Sequence, residues 1–152
     1  MSESSLIETL RGIAFLEDAT DHDLQQIASV GQLEQYPVGT TLFRENESLD
    51  CVFLVVSGSV ALEIPGPDHA VKRTYTLGPG ELLGWSPLLS KAPMTATARA
   101  LMLTRVVALP AQKVLALCEQ DPRFGFAFMR RTAQALAKRL DATRSQLIDE
   151  YR

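Results

Sequence analysis

Residues 80–100 read GELLGWSPLLSKAPMTATARA. Gly80 and Gly84 lead into Ser86-Pro87, which has the form of an N-cap serine followed by proline in the first helical turn. Leu88 and Leu89 continue that short helix, and after Pro93 the small residues Thr95 to Ala100 read as a strand. A glycine pair, a helix start and a strand in this order form the layout of a loop that cradles a phosphate with backbone N–H groups. Yet no charged side chain stands where such a loop grips its anion. The stretch therefore poses two questions: what fold it belongs to, and what it holds.

Upstream, from residue 36 on, the chain is punctuated by turns: Pro37-Val38-Gly39, Glu45 to Asp50, Ser57-Gly58, Pro65-Gly66-Pro67-Asp68 and Gly78-Pro79-Gly80. Between them lie short runs of β character. Val60, Leu62 and Ile64 alternate with Ala61 and Glu63; Val71, Arg73, Tyr75 and Leu77 alternate with Lys72, Thr74 and Thr76. Leu103 to Leu109 adds a further strand after Thr95–Ala100. Short strands at regular spacing predict an antiparallel sandwich or roll.

Both ends of the chain change period. In residues 4–30, Leu6, Ile7, Leu10, Ile13 and Leu16 recur at helical steps, Thr20 reads as the N-cap of a second helix carrying Leu24, Ile27 and Ala28, and Gly31 ends it. After Pro110, Val114, Leu115, Leu117 and Cys118 mark a short helix, and Asp121-Pro122 opens a long one. Along that helix Met129, Ala133, Leu136, Leu140, Thr143 and Leu147 follow one another at steps of 4, 3, 4, 3 and 4. This is a heptad seam, and it predicts pairing with a second copy, because it runs past the reach of a compact roll. The alternative is a helix packed on its own roll.

Composition sets the outer bounds. The 152 residues suit one domain able to bury a core without disulfides or metals, and 46% are hydrophobic. The predicted division is N-terminal helices in 1–35, a roll in 36–110 and C-terminal helices in 111–152. A net charge of −3 argues against a chain built to coat nucleic acid. Seven basic against three acidic side chains give residues 123–152 a charge of +4 and leave the rest at −7, which reads as a solvated helix face or a basic docking surface. Cys51 and Cys118, far apart among apolar residues, predict buried reduced thiols and a cytoplasmic setting. The N-terminus has no signal-peptide pattern, and no apolar run approaches the length of a membrane span.

Helices, a roll of about eight strands, then a short and a long helix: in this order the chain resembles the cyclic-nucleotide-binding domain family. YPVGTTLFRENESLDCVFLVVSGSVAL, residues 36–62, is similar to that family's opening strands, with Gly39 and Gly58 at its turn glycines. GELLGW and APMTATARA match its phosphate-binding cassette, and the likeness covers about residues 12–150. The resemblance implies a mainly β fold with flanking helices: an antiparallel double-stranded β-roll, or jelly roll. In the family the cassette runs G-E-L, short helix, P-R-[STA]-A; its glutamate binds the ribose 2′-hydroxyl and its arginine pairs with the cyclic phosphate. By the spacing to Pro93, Gly84 is the glycine before the short helix. Trp85 therefore falls at the glutamate position and Met94 at the arginine position, while Glu81 lies upstream.

The expected pocket comprises Leu82, Leu83, Gly84, Trp85, Ser86, Leu88, Met94, Thr95 and Ala96. The N–H groups of Leu88 and Leu89 are expected to point at a bound anion. Arg73 or Arg99 is a candidate substitute grip on it, with a salt bridge from Arg99 to Glu81 or Glu63 as the alternative. An enzyme on such a roll would need two or three histidines and a carboxylate around a metal, and His22 and His69 cannot build that site. No metal, no cofactor and no catalysis are expected. The chain stops at Tyr151-Arg152, before a helix-turn-helix could begin, so direct DNA binding is not expected either. The expectation is a regulatory module that pairs as a homodimer through its last helix and senses a small molecule other than cAMP or cGMP. The alternatives are cyclic-nucleotide binding through backbone contacts, and a dimerisation module with a self-filled pocket.

Overall fold

The computed structural model describes residues 2–68, 70–90 and 92–150; His69 and the Tyr151-Arg152 end lie outside the described residues. Helices α1 (Glu3–Arg11) and α2 (Asp21–Val30) flank a 3-10 turn at Ala14–Leu16. Each has a capped start: the Ser2 hydroxyl accepts from the Ser5 N–H, and the Thr20 hydroxyl from the Asp23 N–H. Gly31 ends α2 in extended backbone, φ −85° and ψ 158°, not in the left-handed conformation of many helix ends. Its glycine serves packing, since a Cβ there would lie 3.0 Å from both Leu109 and Val107.

Eight strands follow among the described residues: β1 Gln32–Tyr36, β2 Thr41–Phe43, β3 Cys51–Ser57, β4 Val60–Pro65, β5 Val71–Leu77, β6 Leu82–Leu83, β7 Thr97–Ala100 and β8 Thr104–Pro110. They form two antiparallel four-stranded sheets, ordered β1-β8-β3-β6 and β2-β7-β4-β5. The β-roll with N-terminal helices and a long C-terminal helix is thus observed. The roll begins at Gln32, four residues earlier than the boundary drawn from the sequence, because β1 pairs along its whole length with β8.

Side-chain parity divides the interior into two cores. Phe53 and Val55 of β3, Val106 and Ala108 of β8 and Leu83 of β6 face the second sheet and pack with Phe43, Val60, Leu62 and Leu77. Their neighbours Val52, Leu54, Val107, Leu109 and Leu82 face the other way, against Leu10, Leu24, Ile27, Val114, Phe124 and Phe128 from the helices. With both faces covered, β3 and β8 read as continuous apolar runs instead of alternating ones.

Helix α3 is Ser86–Leu89, α4 is Ala111–Gln120 and α5 is Pro122–Glu150. Asp121 starts α5: its carboxylate accepts from the Phe124 N–H at 3.3 Å and meets His22 Nε2 at 2.9 Å. The inner face of α5 carries Phe124, Phe128, Thr132, Ala135 and Arg139, with the first three buried. Met129 and Leu136 are half-buried at the edge of that face. Ala133, Leu140, Thr143 and Leu147 are exposed, Leu140 by 59% and Leu147 by 52%. Phe126, 70% exposed, extends this row by one heptad toward the helix start. From Leu140 to Asp149 every residue is exposed, so α5 leaves the body of the domain just past Arg139. No helix among the described residues is long and apolar enough to cross a membrane.

Candidate functional site

The stretch that opened the sequence reading folds as a strap between the two sheets. Gly80 and Gly84 both have left-handed φ, 89° and 76°. At Gly80 the Val55 carbonyl accepts from its N–H and its own carbonyl accepts from the Phe15 N–H, and a Cβ would sit 2.8 Å from Ala14. At Gly84 a Cβ would press on Leu49, Phe43 and Phe53. These two residues turn the chain into β6 and out of it, so Leu83 enters the roll while Leu82 enters the helical core.

A cavity of about 150 Å3 lies inside the roll at this point. Leu83, Gly84, Trp85, Ser86, Met94, Thr95 and Ala96 of the expected pocket line it. Phe43, Leu62, Ser90, Ala92, Pro93 and Arg139 complete the wall and were not anticipated. Leu82 and Leu88 are elsewhere: both are buried in the helical core, a consequence of strand parity for the first and of the inward face of α3 for the second.

Met94 is held by its backbone. Its N–H donates to the Glu47 carbonyl and its carbonyl accepts from the Asn46 N–H, at 2.9 and 2.7 Å, and its side chain is 8% exposed. Ser86 does not cap α3. Trp85 occupies the N-cap position without a side-chain bond, and the Ser86 hydroxyl donates across the loop to the Ala92 carbonyl at 3.2 Å. The Leu88 N–H, expected to face an anion, donates to the Trp85 carbonyl at 3.0 Å. The reason is the short single turn of α3, which closes on itself.

The charged residues near the strap have other partners. Glu81 accepts from the Gly78 N–H at 2.7 Å and from the Tyr75 hydroxyl at 2.9 Å, fixing the turn before β6. Arg99 makes two hydrogen bonds to the Glu63 carboxylate, at 3.0 and 2.7 Å, and does not line the cavity. Arg73 sits opposite Glu63 in the β4–β5 register, also away from the cavity wall. Arg139 comes from α5 instead. Its guanidinium donates to the Leu82 carbonyl at 2.9 Å and lies 5.1 Å from the Tyr75 ring centroid. Burial pushes its pKa down, against the opposing influence of Tyr75 and Glu81. An arginine at a core-facing step after Phe128, Thr132 and Ala135 was the sequence signal that could have pointed to it.

A second, more open groove of about 520 Å3 runs outside the roll between the 3-10 turn and α5, bordered by Phe15, Glu81, Arg131, Lys138 and Arg139. Arg139 therefore stands between groove and cavity. Among the described residues no three metal-ligating side chains cluster. Cys51 and Cys118 are free and half-buried, and burial raises both thiol pKa values.

Comparison with known proteins places these features in a family context. The family model described as cyclic nucleotide-binding domain matches residues 33–121. A CRP-like cAMP-activated global transcriptional regulator of Mycobacterium tuberculosis is 25% identical over 114 residues, 75% of this chain and 49% of that protein. A cyclic nucleotide-gated potassium channel of Mesorhizobium japonicum is 31% identical over 110 residues, 72% of this chain and 29% of the channel. In three dimensions the catabolite activator protein of Thermus thermophilus superposes with a TM-score of 0.73 at 28% identity, over 88% of this chain and 61% of that one. The chain thus spans about half or less of these two curated relatives, which are a regulator and a channel.

Proposed function

The chain belongs to the cyclic nucleotide-binding domain family, and from that premise we propose that it is a non-enzymatic regulatory module whose cassette takes a ligand other than cAMP or cGMP. The observation that carries this reading is that Met94, which the spacing to Pro93 assigns to the family's arginine position, is buried on the cavity wall. Trp85 lines the same wall, and the spacing to Pro93 assigns it the position of the ribose-binding glutamate. Each lost anchor is a charge-assisted hydrogen bond worth about 1.5–3 kcal/mol. Losing two weakens binding by roughly a hundred- to ten-thousandfold. The Leu88 N–H is already engaged by Trp85, so the backbone offers less compensation than the sequence layout promised. Within its walls the cavity, about 150 Å3, takes a body about as large as benzene.

The module pairs with a second copy through the exposed row on α5 formed by Phe126, Ala133, Leu140 and Leu147, with Met129, Leu136 and Thr143 beside it. Ligand binding shifts the position of α5 and so the geometry of that pair. Two half-buried thiols with raised pKa values suit a reducing cytoplasm.

The test restores the anchors. Trp85→Glu combined with Met94→Arg should gain cAMP-dependent thermal stabilisation, approaching about 2.7 kcal/mol at a hundredfold the dissociation constant, where the parent chain shows none. A parent chain stabilised by micromolar cAMP overturns the proposal.

A further inference from the structure

We propose that Arg139 supplies the anion-recognising charge of the cassette cavity, and that the cavity takes a small organic acid: one carboxylate on an apolar body about the size of a single ring. This rests on the reading above that the cassette no longer selects a cyclic nucleotide.

Four observations carry it. First, Arg139 is the one charged side chain among the described residues lining the cavity. The rest of the wall is apolar or neutral, dominated by Phe43, Leu62, Leu83, Trp85 and Met94. Second, among the described residues no carboxylate lies within ion-pair distance of Arg139, Glu81 acting on it only at longer range; its hydrogen bond is to the Leu82 carbonyl, and the Tyr75 ring covers one face. A guanidinium has five N–H donors in a planar fork, so most of this one remains available. Third, the space fits a ring-sized body, which the apolar wall would desolvate favourably. Fourth, the charges match. One guanidinium balances one carboxylate, often by two parallel hydrogen bonds. A phosphate monoester near −2 would keep charge unpaired against apolar walls, with the Leu88 N–H already used.

The position of Arg139 also gives the regulation. It is the last α5 residue before the exposed segment Leu140 to Asp149, and among the described residues its bond to Leu82 is the last hydrogen bond between that helix and the roll. A carboxylate in the cavity engages free N–H groups of the same guanidinium that holds the Leu82 carbonyl. Occupancy is thereby read at the point where α5 leaves the domain.

The experiment uses the full chain and its single tryptophan, Trp85, as reporter. Phenylacetate, its neutral amide phenylacetamide, inorganic phosphate and cAMP are titrated against the parent, Arg139→Gln and Arg139→Lys. Gln keeps an N–H for the Leu82 carbonyl and removes the charge; Lys keeps the charge. Phenylacetate should change Trp85 fluorescence saturably and bind at least about tenfold tighter than the amide. Arg139→Gln should weaken it about ten- to hundredfold, with partial recovery in Arg139→Lys. Acid and amide binding alike, no response to millimolar phenylacetate, a response to phosphate equal to that to phenylacetate, or an unchanged Arg139→Gln overturns the assignment while leaving the non-nucleotide reading intact. Saturation by micromolar cAMP overturns that underlying reading instead. Should Arg139→Gln fail to fold, the acid-against-amide comparison on the parent chain still decides.

Discussion

Glu63 and Arg99 show how a charge that looks available can be committed elsewhere. Arg99 grips Glu63 through two bonds, and those bonds hold the Glu63 carboxyl below its ordinary pKa against the opposing effect of burial. A carboxyl depressed on folding stabilises the native state above its unfolded pKa, and that contribution is lost as the pH falls through the folded value. The stability gap between the parent and Glu63→Gln should therefore shrink between neutral pH and the acid side of the ordinary glutamate range, measured by urea unfolding. A gap independent of pH would contradict the pairing. At this scale the sequence offers spacing along the chain, from which Pro93 and Gly84 assign Met94 and Trp85 to the family's arginine and glutamate positions; Glu81, assigned away from the ribose position, bonds to Gly78 and Tyr75. It was silent where space decides. Arg139 lies 55 residues beyond Gly84 in the chain and reaches the same cavity only because α5 folds back across β6.

Helix α5 has a buried face and an exposed one, and its phenylalanines separate them: Phe124 and Phe128 are buried and Phe126 is exposed. Phe128, 2% exposed, packs edge-on to Phe15 with ring centroids 5.6 Å apart and near Phe124 at 5.8 Å. Phe128→Ala should cost about 3–5 kcal/mol of stability in urea unfolding. Phe126→Ala, at a 70% exposed site, should cost less than about 0.5 kcal/mol in the same assay. A large loss from Phe126→Ala in dilute monomer would show that this residue belongs to the fold. For self-pairing, Leu140→Glu with Leu147→Glu should give monomers in sedimentation, because both side chains are exposed and lie beyond the body of the domain. A dimer that persists in the double variant contradicts the seam. The proposed seam is read from heptad steps in the sequence, and the structure adds that Leu140 and Leu147 on those steps are exposed. Phe126 was missed because the apolar row was begun at Met129. The inner face was harder to separate, since Phe124 and Phe128 read equally well as part of a continuous apolar stripe.

Over the whole molecule, the two-core arrangement links cavity to helix. β6 is only two residues long, with Leu83 in the roll and Leu82 under the helices. Arg139 bonds to the backbone of that same strand and also lines the cavity. Any occupant of the cavity thus lies next to the fastening point of α5. The roll was foreseeable because turn residues break residues 36–110 into strand-length runs, although β1 starts before them at Gln32. The division between the two cores was not, because β3 and β8 bury both faces and show no alternation to read. Calorimetry of cAMP with the full, unmodified chain tests the central claim most directly. The altered cassette predicts no saturable heat below millimolar cAMP, and a micromolar isotherm with one ligand per chain would contradict it.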